Sequence, residues 1–344
     1  MKNWRTKVNG KMTDLFVLKN KNGIEAYITN FGGIITSLIV PDKEGNLEDI
    51  VLGYDSIEET INGNPYFGAI IGRYGNRIAK GKFSINGNEY TLAINNGPNA
   101  LHGGIVGYNA VVWDAEQEGN KLILKHLDPD MHEGYPGNVE VVVTYELTDE
   151  NELKITYDAI TDKSTVVNLT SHSFFNLKGA GNGTANDHLL MINAEKYTPS
   201  DENLAPTGEI RNVKGTPFDF TEFKEIGKDL EVEDQDLKNG MGYDHNFVLN
   251  GKENEMKYVA KVIEQKSGRV MEMWTTEPGV QFYGAYWLDG SDIGKGGKAY
   301  HSRDAFCLET QHYPDSPNND HFPSTLLNPG EKYHTETIHK FSIQ

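Results

Sequence analysis

Apolar and polar side chains alternate along residues 140–160 with the two-residue period of a β-strand. In the first run the apolar positions are Val141, Val143, Tyr145 and Leu147. After the polar residues 148–151 the alternation resumes at Leu153, Ile155, Tyr157 and Ala159. Two alternating runs joined by a short polar turn predict an antiparallel hairpin with one buried face.

Similar signals recur along the chain, whereas helical periods are rare. Asn86-Gly87 is a strong two-residue hairpin turn, and further turns are predicted at 119–120 and 267–268, between alternating runs. Residues 333–343 alternate again. Ser56, with Glu59 three residues later, predicts a short capped helical turn, and the acidic residues 222–236 predict a solvated surface helix or loop.

Many short strands without crossover helices predict the all-β class and a large antiparallel β-sandwich. The chain of 344 residues is long enough for two domains, but no linker, repeat or change of composition divides it. We therefore expect residues 1–344 to form a single domain.

Charge narrows the range of partners. The chain has 50 acidic and 32 basic residues and a net charge of −18, which argues against a nucleic-acid or membrane-surface partner.

A single cysteine, Cys307, cannot form an internal disulfide and is typical of a reducing compartment. We expect no leader segment, because no apolar stretch follows the first residues of the sequence, and no run of 18 apolar residues suggests a membrane span. We expect a cytoplasmic protein.

The common catalytic and cofactor motifs are absent. The sequence contains no Walker A loop, dinucleotide-binding glycine loop, His-Glu-x-x-His or Gly-x-Ser-x-Gly. One cysteine and scattered histidines do not have the spacing of a zinc site. We therefore expect neither a metal nor a cofactor.

Two glycine-rich segments carry polar candidates. Arg77, in Ile-Gly-Arg-Tyr-Gly-Asn-Arg-Ile (71–78), could donate paired hydrogen bonds to neighbouring hydroxyls. The alternative is a surface arginine beside a turn. His102 precedes two glycines, which leave its imidazole approachable. The alternative there is an ordinary loop histidine.

A titratable face is predicted in residues 168–176. Alternation places Asn168, Thr170, His172 and Phe174 on one side of a strand. His172 is the best general-acid candidate because an imidazole titrates near neutral pH, although a buried structural histidine is the alternative. Glu309 lies in the apolar run 305–311, where burial would raise its pKa toward that of a useful base.

Two weaker candidates complete the set. Asp244, before an apolar strand, could accept a substrate hydroxyl or cap a turn, and Gln281 is a polar residue in another apolar run. A base, one or two histidines, an arginine, an aspartate and neutral amides suit proton transfer on a neutral, hydroxyl-rich ligand. Four aromatic residues could stack on sugar rings or belong to the core: Phe174, Tyr243, Trp274 and Trp287.

Seven segments, taken in order, resemble the aldose 1-epimerase (galactose mutarotase) family. They are Asn-Arg-Ile-Ala-Lys-Gly (76–81), Asn-Ala-Leu-His-Gly-Gly (99–104), Glu-Gly-Tyr-Pro-Gly (133–137), Thr-Ser-His-Ser-Phe-Phe-Asn-Leu (170–177), Tyr-Asp-His-Asn-Phe (243–247), Glu-Pro-Gly-Val-Gln-Phe-Tyr (277–283) and Leu-Glu-Thr-Gln (308–311). The resemblance implies a β-supersandwich and cofactor-free exchange of the α and β anomers of an aldohexose, by a monomer or a homodimer.

The resemblance also implies roles for the candidates. Glu309 matches the general base that takes the C1 hydroxyl proton, and His172 matches the general acid that protonates the ring oxygen. The residues that match those holding the sugar hydroxyls and the developing charge are Asn76, Arg77, His102, Asp244 and Gln281.

One segment departs from the family. The family commonly continues Gln-Phe-Tyr with Thr-Gly-Asn and an aromatic residue, whereas this chain has Gly-Ala-Tyr-Trp at 284–287. Tyr286 thus stands in place of the asparagine, next to a proposed ligand contact, which leaves the preferred sugar open. Cys307 shares the strand face of Glu309, and we interpret it as a packing residue.

Three other functions compete with this interpretation. A glycosidase would need two flanking carboxylates, for which Glu309 and Asp244 are the obvious pair. A carbohydrate-binding module would bind sugar without turnover. A phosphosugar epimerase would need more cations than Arg77, with Arg73 and Lys80 as the nearby candidates.

Overall fold

A computed structural model describes residues 3–344. Its largest sheet has nine antiparallel strands. In spatial order they are Asp114–Glu118, Lys121–Asp128, Val139–Leu147, Glu152–Thr161, Tyr333–Ile343, Arg269–Thr275, Lys257–Ile263, Leu189–Ile192 and Lys224–Glu225. The C-terminal strand lies near the middle of this sheet, so both halves of the chain contribute to it.

Register and burial confirm the hairpin predicted from alternation. Val143 lies opposite Tyr157 and Tyr145 opposite Ile155, and all four side chains are buried. Alternate positions of both strands are partly exposed, because successive side chains point to opposite faces of a sheet. The hairpins around 86–87, 119–120 and 267–268 are confirmed as well.

Two smaller sheets accompany the large one. The five-stranded sheet has the order Arg211–Asn212, Lys196–Thr198, Asp244–Val248, Gly279–Tyr283 and Cys307–Gln311. The four-stranded sheet consists of Leu15–Lys19, Glu25–Thr29, Ile35–Pro41 and Leu47–Asp49. Side chains from all three sheets, such as Leu38, Tyr145 and Phe282, belong to one apolar core. The predicted large antiparallel sandwich is confirmed.

Short two-stranded ladders connect the larger sheets. They pair Lys7–Val8 with Lys11–Met12, Ile70–Ile71 with Thr170–Ser171, Arg77–Ile78 with Ala100–Leu101, Lys82–Ile85 with Asn88–Thr91, Thr165–Val166 with Leu326–Leu327, and Asp289–Ile293 with Ala299–His301. Two of these ladders carry or flank candidate residues: one pairs the strand of Arg77 with the segment before His102, and the other holds the segment before His172.

Helices are few and short. Within residues 3–344 the α-helices are Ile57–Asn62 and Gln235–Gly240, and the 3₁₀ turns are Ala79–Gly81, Tyr108–Ala110, His132–Gly134, Lys295–Gly297 and Ser316–Asn318. Ser56 caps the first helix by accepting from the Glu59 backbone N–H, as predicted. Over the same described range, no helix has the length and apolar character needed to cross a membrane.

Two local predictions need correction. Residues 168–176 do not form one strand, because only Thr170–Ser171 is extended in a ladder. The backbone N–H of His172 instead donates to the Ala69 carbonyl at 2.9 Å. Asp244 does not precede its strand but begins it, at Asp244–Val248. The acidic region 222–236 agrees with its prediction as a surface helix or loop, because it is mostly loop with a helix beginning at Gln235.

Candidate active site

A cavity of about 320 Å³ brings together most of the predicted site residues. Its size lies at the small end of the roughly 300–1,000 Å³ typical of ligand pockets. The predicted residues that line it are Asn76, Arg77, His102, His172, Asp244 and Glu309. Gln281 lies behind Asp244 and contacts it without lining the cavity.

His172 and Glu309 form a buried titratable pair in the cavity. The imidazole Nε2 lies 3.6 Å from the carboxylate Oε1, and the side chains are only 6% and 2% exposed. Within residues 3–344, His172 Nδ1 and Glu309 Oε2 have no hydrogen-bond partner. The imidazole is nearly parallel to the ring of Phe174 at 4.9 Å and to that of Tyr66 at 5.7 Å. These contacts fix its plane beside the carboxylate.

Burial shifts the two groups in opposite directions. It raises the pKa of Glu309 well above its ordinary value; the Asp244 charge adds to the effect and the Arg77 charge opposes it. Burial lowers the pKa of His172 to about 3. Each shift disfavours a charged form in a poorly solvated site. Between these two pKa values the pair holds one proton, which either Glu309 or His172 can carry, and the form with the proton on His172 can give a proton at the imidazole and take one at the carboxylate.

His102 is fixed as a hydrogen-bond donor. Its Nδ1 accepts the Asn76 backbone N–H at 3.1 Å, so the neutral ring carries its proton on Nε2. Burial lowers the pKa of His102 well below its usual value, and the charges of His172 and Arg77 add to the effect. The ring centroids of His102 and His172 are 5.2 Å apart. His102 therefore offers an N–H to a bound ligand.

The same three side chains are the best candidate for a metal centre. Ligand atoms of His102, His172 and Glu309 lie within 4.8 Å of one another. A metal, however, needs an imidazole lone pair, and the hydrogen bond from Asn76 occupies that of His102. Only two of the three groups keep a free ligand atom, so the set fits proton transfer better than metal binding.

Arg77 and Asp244 form a charged side of the cavity, and Gln281 supports Asp244 from behind. Gln281 Nε2 donates to Asp244 Oδ1 at 2.7 Å, and Arg77 Nη1 lies 3.8 Å from Asp244 Oδ2. Arg77 Nε also donates to Asn96 Oδ1 at 3.0 Å. These contacts orient a guanidinium and a carboxylate toward the cavity, where they can bind neighbouring hydroxyls.

In the segment that departs from the family pattern, the side chain that lines the cavity is that of Trp287 and not that of Tyr286. Trp287 lines the cavity and is 60% exposed. Tyr286 is half-buried and packs between neighbours, with its ring centroid 4.8 Å from that of Trp287 and 6.0 Å from that of Tyr283. Phe174 lines the cavity as well, whereas Tyr243 is buried in the core and Trp274 packs on Tyr258.

Several lining residues were not predicted. Tyr66 packs its ring against both histidines, at 4.8 Å from His102 and 5.7 Å from His172. Asn96 orients Arg77, and Tyr283 lies beside His172 at 6.3 Å. Tyr283 is the last residue of the segment 277–283, so the resemblance of that segment to the family could have pointed to Tyr283. Tyr66 lies in no segment that sequence reasoning selected.

Comparisons with known proteins give a consistent result. A sequence model of the family "Aldose 1-epimerase" matches residues 14–340. The galactose mutarotase of Homo sapiens is 47% identical over 316 residues, covering 92% of this chain and 90% of that protein. The aldose 1-epimerase of Escherichia coli (strain K12) is 34% identical over 336 residues, covering 97% and 96%.

Solved structures agree with the sequence comparisons. An aldose epimerase homologue from C. elegans superposes with a TM-score of 0.89 at 32% identity, covering 96% of this chain and 99% of that one. A galactose 1-epimerase from Lactobacillus acidophilus gives 0.86 at 28% identity, covering 98% and 97%. On its sequence, its fold and the family model that spans nearly all of it, this chain belongs to the aldose 1-epimerase family.

Proposed function

We propose that the protein is an aldose 1-epimerase, which interconverts the α and β anomers of aldohexoses such as glucose and galactose. The observation that carries the proposal is the buried pair of His172 Nε2 and Glu309 Oε1, 3.6 Å apart in a cavity that also offers hydrogen-bonding groups. A pair that holds one proton suits a reaction that removes one proton and adds another.

In the proposed reaction, Glu309 takes the proton of the C1 hydroxyl while His172 gives a proton to the ring oxygen O5. The C1–O5 bond breaks, its electron pair stays on O5, and C1 becomes an aldehyde. Rotation about the C1–C2 bond turns the other face of the aldehyde toward O5. When O5 attacks that face, His172 recovers its proton from O5 and Glu309 returns its proton to the carbonyl oxygen.

The remaining residues hold the sugar. Asn76, Arg77 and Asp244 line the cavity and are proposed to bind hydroxyls, with Gln281 orienting Asp244. The N–H at Nε2 of His102 is proposed to stabilise negative charge that develops on an oxygen during ring opening. Phe174 and Trp287 offer apolar ring faces to the C–H face of the sugar.

A phosphosugar substrate is less favoured. Along the part of the chain that the structure describes, Arg77 is the only lysine or arginine that lines the cavity, and it faces Asp244. Arg73, considered from the sequence, is buried against Asp128, and Lys80 is exposed outside the lining. A phosphate would therefore lack a free cation.

We further propose that residues 1–344 act as one unit, because the site residues extend from Asn76 to Glu309. The unit is proposed to work in the cytoplasm, as a monomer or a homodimer, without a cofactor, a nucleic acid or a membrane partner. The single cysteine supports the location, because a reducing compartment leaves thiols unpaired.

Polarimetry of freshly dissolved α-D-glucose and α-D-galactose tests the function. We expect catalytic amounts of protein to accelerate the approach to anomeric equilibrium over buffer alone. Release of reducing sugar from an oligosaccharide without this acceleration would favour a glycosidase. Sugar binding without any acceleration would favour a binding module. The absence of a rate gain with every aldose tested would overturn the proposal.

A further inference from the structure

The segment 133–137 is one of the seven that resemble the family, yet its first residue, Glu133, does not line the cavity. Its carboxylate instead holds a neighbouring loop by two backbone groups. Oε2 accepts the Ile105 N–H at 2.9 Å, and Oε1 accepts the Val106 N–H at 3.0 Å. Hydrogen bonds to an ionised carboxylate are stronger than neutral ones, and two of them fix an orientation.

The two side chains whose N–H groups Glu133 holds are exposed. Ile105 is 70% exposed and Val106 is 39% exposed, so neither side chain anchors the backbone in a core. At Gly104, φ is +112° and an added Cβ would lie 2.2 Å from Glu133 Oε2. The Glu133 carboxylate therefore packs directly against the Gly104 backbone, in space that a larger residue at position 104 would fill.

The loop begins at His102, with only two glycines between that histidine and Ile105. His102 itself has φ of +53°, a conformation that costs a non-glycine residue free energy and needs support from its surroundings. Its backbone N–H donates to the Asn76 carbonyl at 3.1 Å, and its Nδ1 accepts from the Asn76 N–H. A loop released at Ile105 would loosen these contacts.

Glu133 is presented by a fixed segment. Arg73, only 1% exposed, donates from Nη1 to the carbonyls of Pro136 and Gly137 at 2.8 and 3.0 Å. Its Nε also pairs with Asp128 at 2.7 Å. Because Arg73 precedes Asn76 by only three residues, a closed circuit of contacts joins the segments of Asn76, His102 and Glu133.

We propose that Glu133 is a positioning residue for His102: it holds the 103–106 loop so that the His102 imidazole stays against the Asn76 N–H. This inference rests on the proposed epimerase function. Without the carboxylate, the imidazole would occupy several orientations. Misplacement of about 1 Å at a reacting group can lower a rate up to about a hundredfold.

A double-mutant cycle tests the proposal, with Glu133→Ala, His102→Ala and the double variant measured by glucose polarimetry. We expect Glu133→Ala to lower kcat/KM about tenfold in the parent protein, and less than about twofold when His102 is already alanine. A positioning effect needs the group that it positions, whereas a general loss of structure would multiply in both backgrounds. Multiplied losses would therefore overturn the proposal.

Glu133→Gln provides a milder variant if the alanine variant folds poorly. A carboxamide replaces one of the two carboxylate oxygens with an NH₂ donor, so one of the two loop N–H groups loses its acceptor. We expect an intermediate loss of kcat/KM and, in ¹⁵N NMR of the histidines, a His102 ring no longer fixed as the Nε2–H tautomer. An unchanged tautomer signal with unchanged kcat/KM would count against the positioning role of Glu133.

Glu264→Ala is the matched control. Its carboxylate likewise accepts two backbone N–H groups, those of Lys266 at 3.1 Å and Ser267 at 2.7 Å, in a hairpin outside the cavity lining. We expect it to lower stability without lowering kcat/KM. If the parent protein does not accelerate anomer exchange, the epimerase function itself is contradicted. If the parent is active but the losses of kcat/KM multiply in the double variant, only the positioning role of Glu133 is contradicted.

Discussion

His172 Nε2 lies 3.6 Å from Glu309 Oε1, although the two residues come from different kinds of structure. His172 follows the two-residue strand Thr170–Ser171, and Glu309 lies within Cys307–Gln311 at the edge of the five-stranded sheet. The irregular backbone at 172–174 lets the imidazole face a carboxylate that is itself fixed by a ladder. The pair is therefore a product of tertiary structure.

His172→Ala should abolish most of the turnover. The alanine removes the proposed donor to O5, and a positioned general acid or base contributes about a hundredfold or more. We expect kcat for glucose anomerisation to fall by at least about a hundredfold. His188→Ala is the control, because that histidine is equally buried but lies outside the cavity lining. A near-normal rate for His172→Ala would mean that its role is misassigned.

Glu309→Gln should have an equally large effect on kcat while sugar binding persists. The amide keeps the shape of the side chain but cannot accept a proton, so the C1 hydroxyl keeps its hydrogen. We expect at least about a hundredfold loss in kcat, and glucose binding by calorimetry within a few fold of the parent protein. Loss of binding together with turnover would instead indicate a structural role for the carboxylate.

The pH dependence of kcat/KM should be bell-shaped. A second proton enters the pair as the pH falls toward the His172 pKa of about 3, and the last proton leaves as the pH rises through the raised pKa of Glu309. Both changes remove the state with one proton. Asp244→Asn removes a negative charge that raises the pKa of Glu309, so its alkaline limb should move to lower pH. A limb that moves upward or stays in place would contradict this.

Much of the scaffold is accessible from the sequence because it depends on local patterns. The 140–160 hairpin and the turn at Asn86-Gly87 follow from side-chain alternation and turn chemistry, which neighbouring residues determine. Residues 168–176 also alternate, but the His172 N–H bonds to Ala69 outside any ladder. That contact depends on where a distant segment packs, which alternation does not encode.

The sequence indicates which residues form the site better than it indicates how they are arranged in space. Burial of Glu309 follows from the apolar run 305–311 in the sequence, whereas the polar neighbours of His172 left its burial as an alternative. The placement of Gln281 behind Asp244 depends on the pairing of Asn246 with Gln281 and of Asp244 with Tyr283, which only the folded sheet defines. Similarly, Tyr286 was the notable departure from the family pattern, yet the turn directs Trp287 to the cavity instead.

Trp287→Ala should weaken sugar binding more than it slows chemistry. Trp287 is an exposed aromatic ring on the cavity wall, and an aromatic contact contributes about 0.5–1.5 kcal/mol beyond burial. We expect KM for glucose to rise about fivefold, with kcat within about twofold of the parent value. Phe223→Ala is the control, because Phe223 is 44% exposed but does not line the cavity. A fall in kcat with an unchanged KM would exclude a binding role.

A buried ion pair outside the cavity should make stability depend on pH. His312 Nδ1 lies 2.6 Å from Glu277 Oε2, and the side chains are 12% and 1% exposed. Burial lowers the pKa of His312, but the charge and hydrogen bond of Glu277 outweigh it, so the pKa is raised. The stabilisation is therefore complete below the unfolded pKa and is lost as the pH rises through the folded pKa.

Urea unfolding at pH 6 and pH 9 measures this dependence, with Glu277→Gln as the test variant. The amide can still accept the Tyr333 hydroxyl, which lies 3.1 Å from Glu277 Oε1, so mainly the charge is lost. Since breaking a buried pair leaves an uncompensated charge, we expect a loss of about 3 kcal/mol at pH 6 and a smaller loss at pH 9. His334→Gln, which breaks a pair with Asp158 whose histidine is 52% exposed, should change stability far less at either pH. Equal losses from Glu277→Gln at both pH values would show that the His312 proton does not contribute.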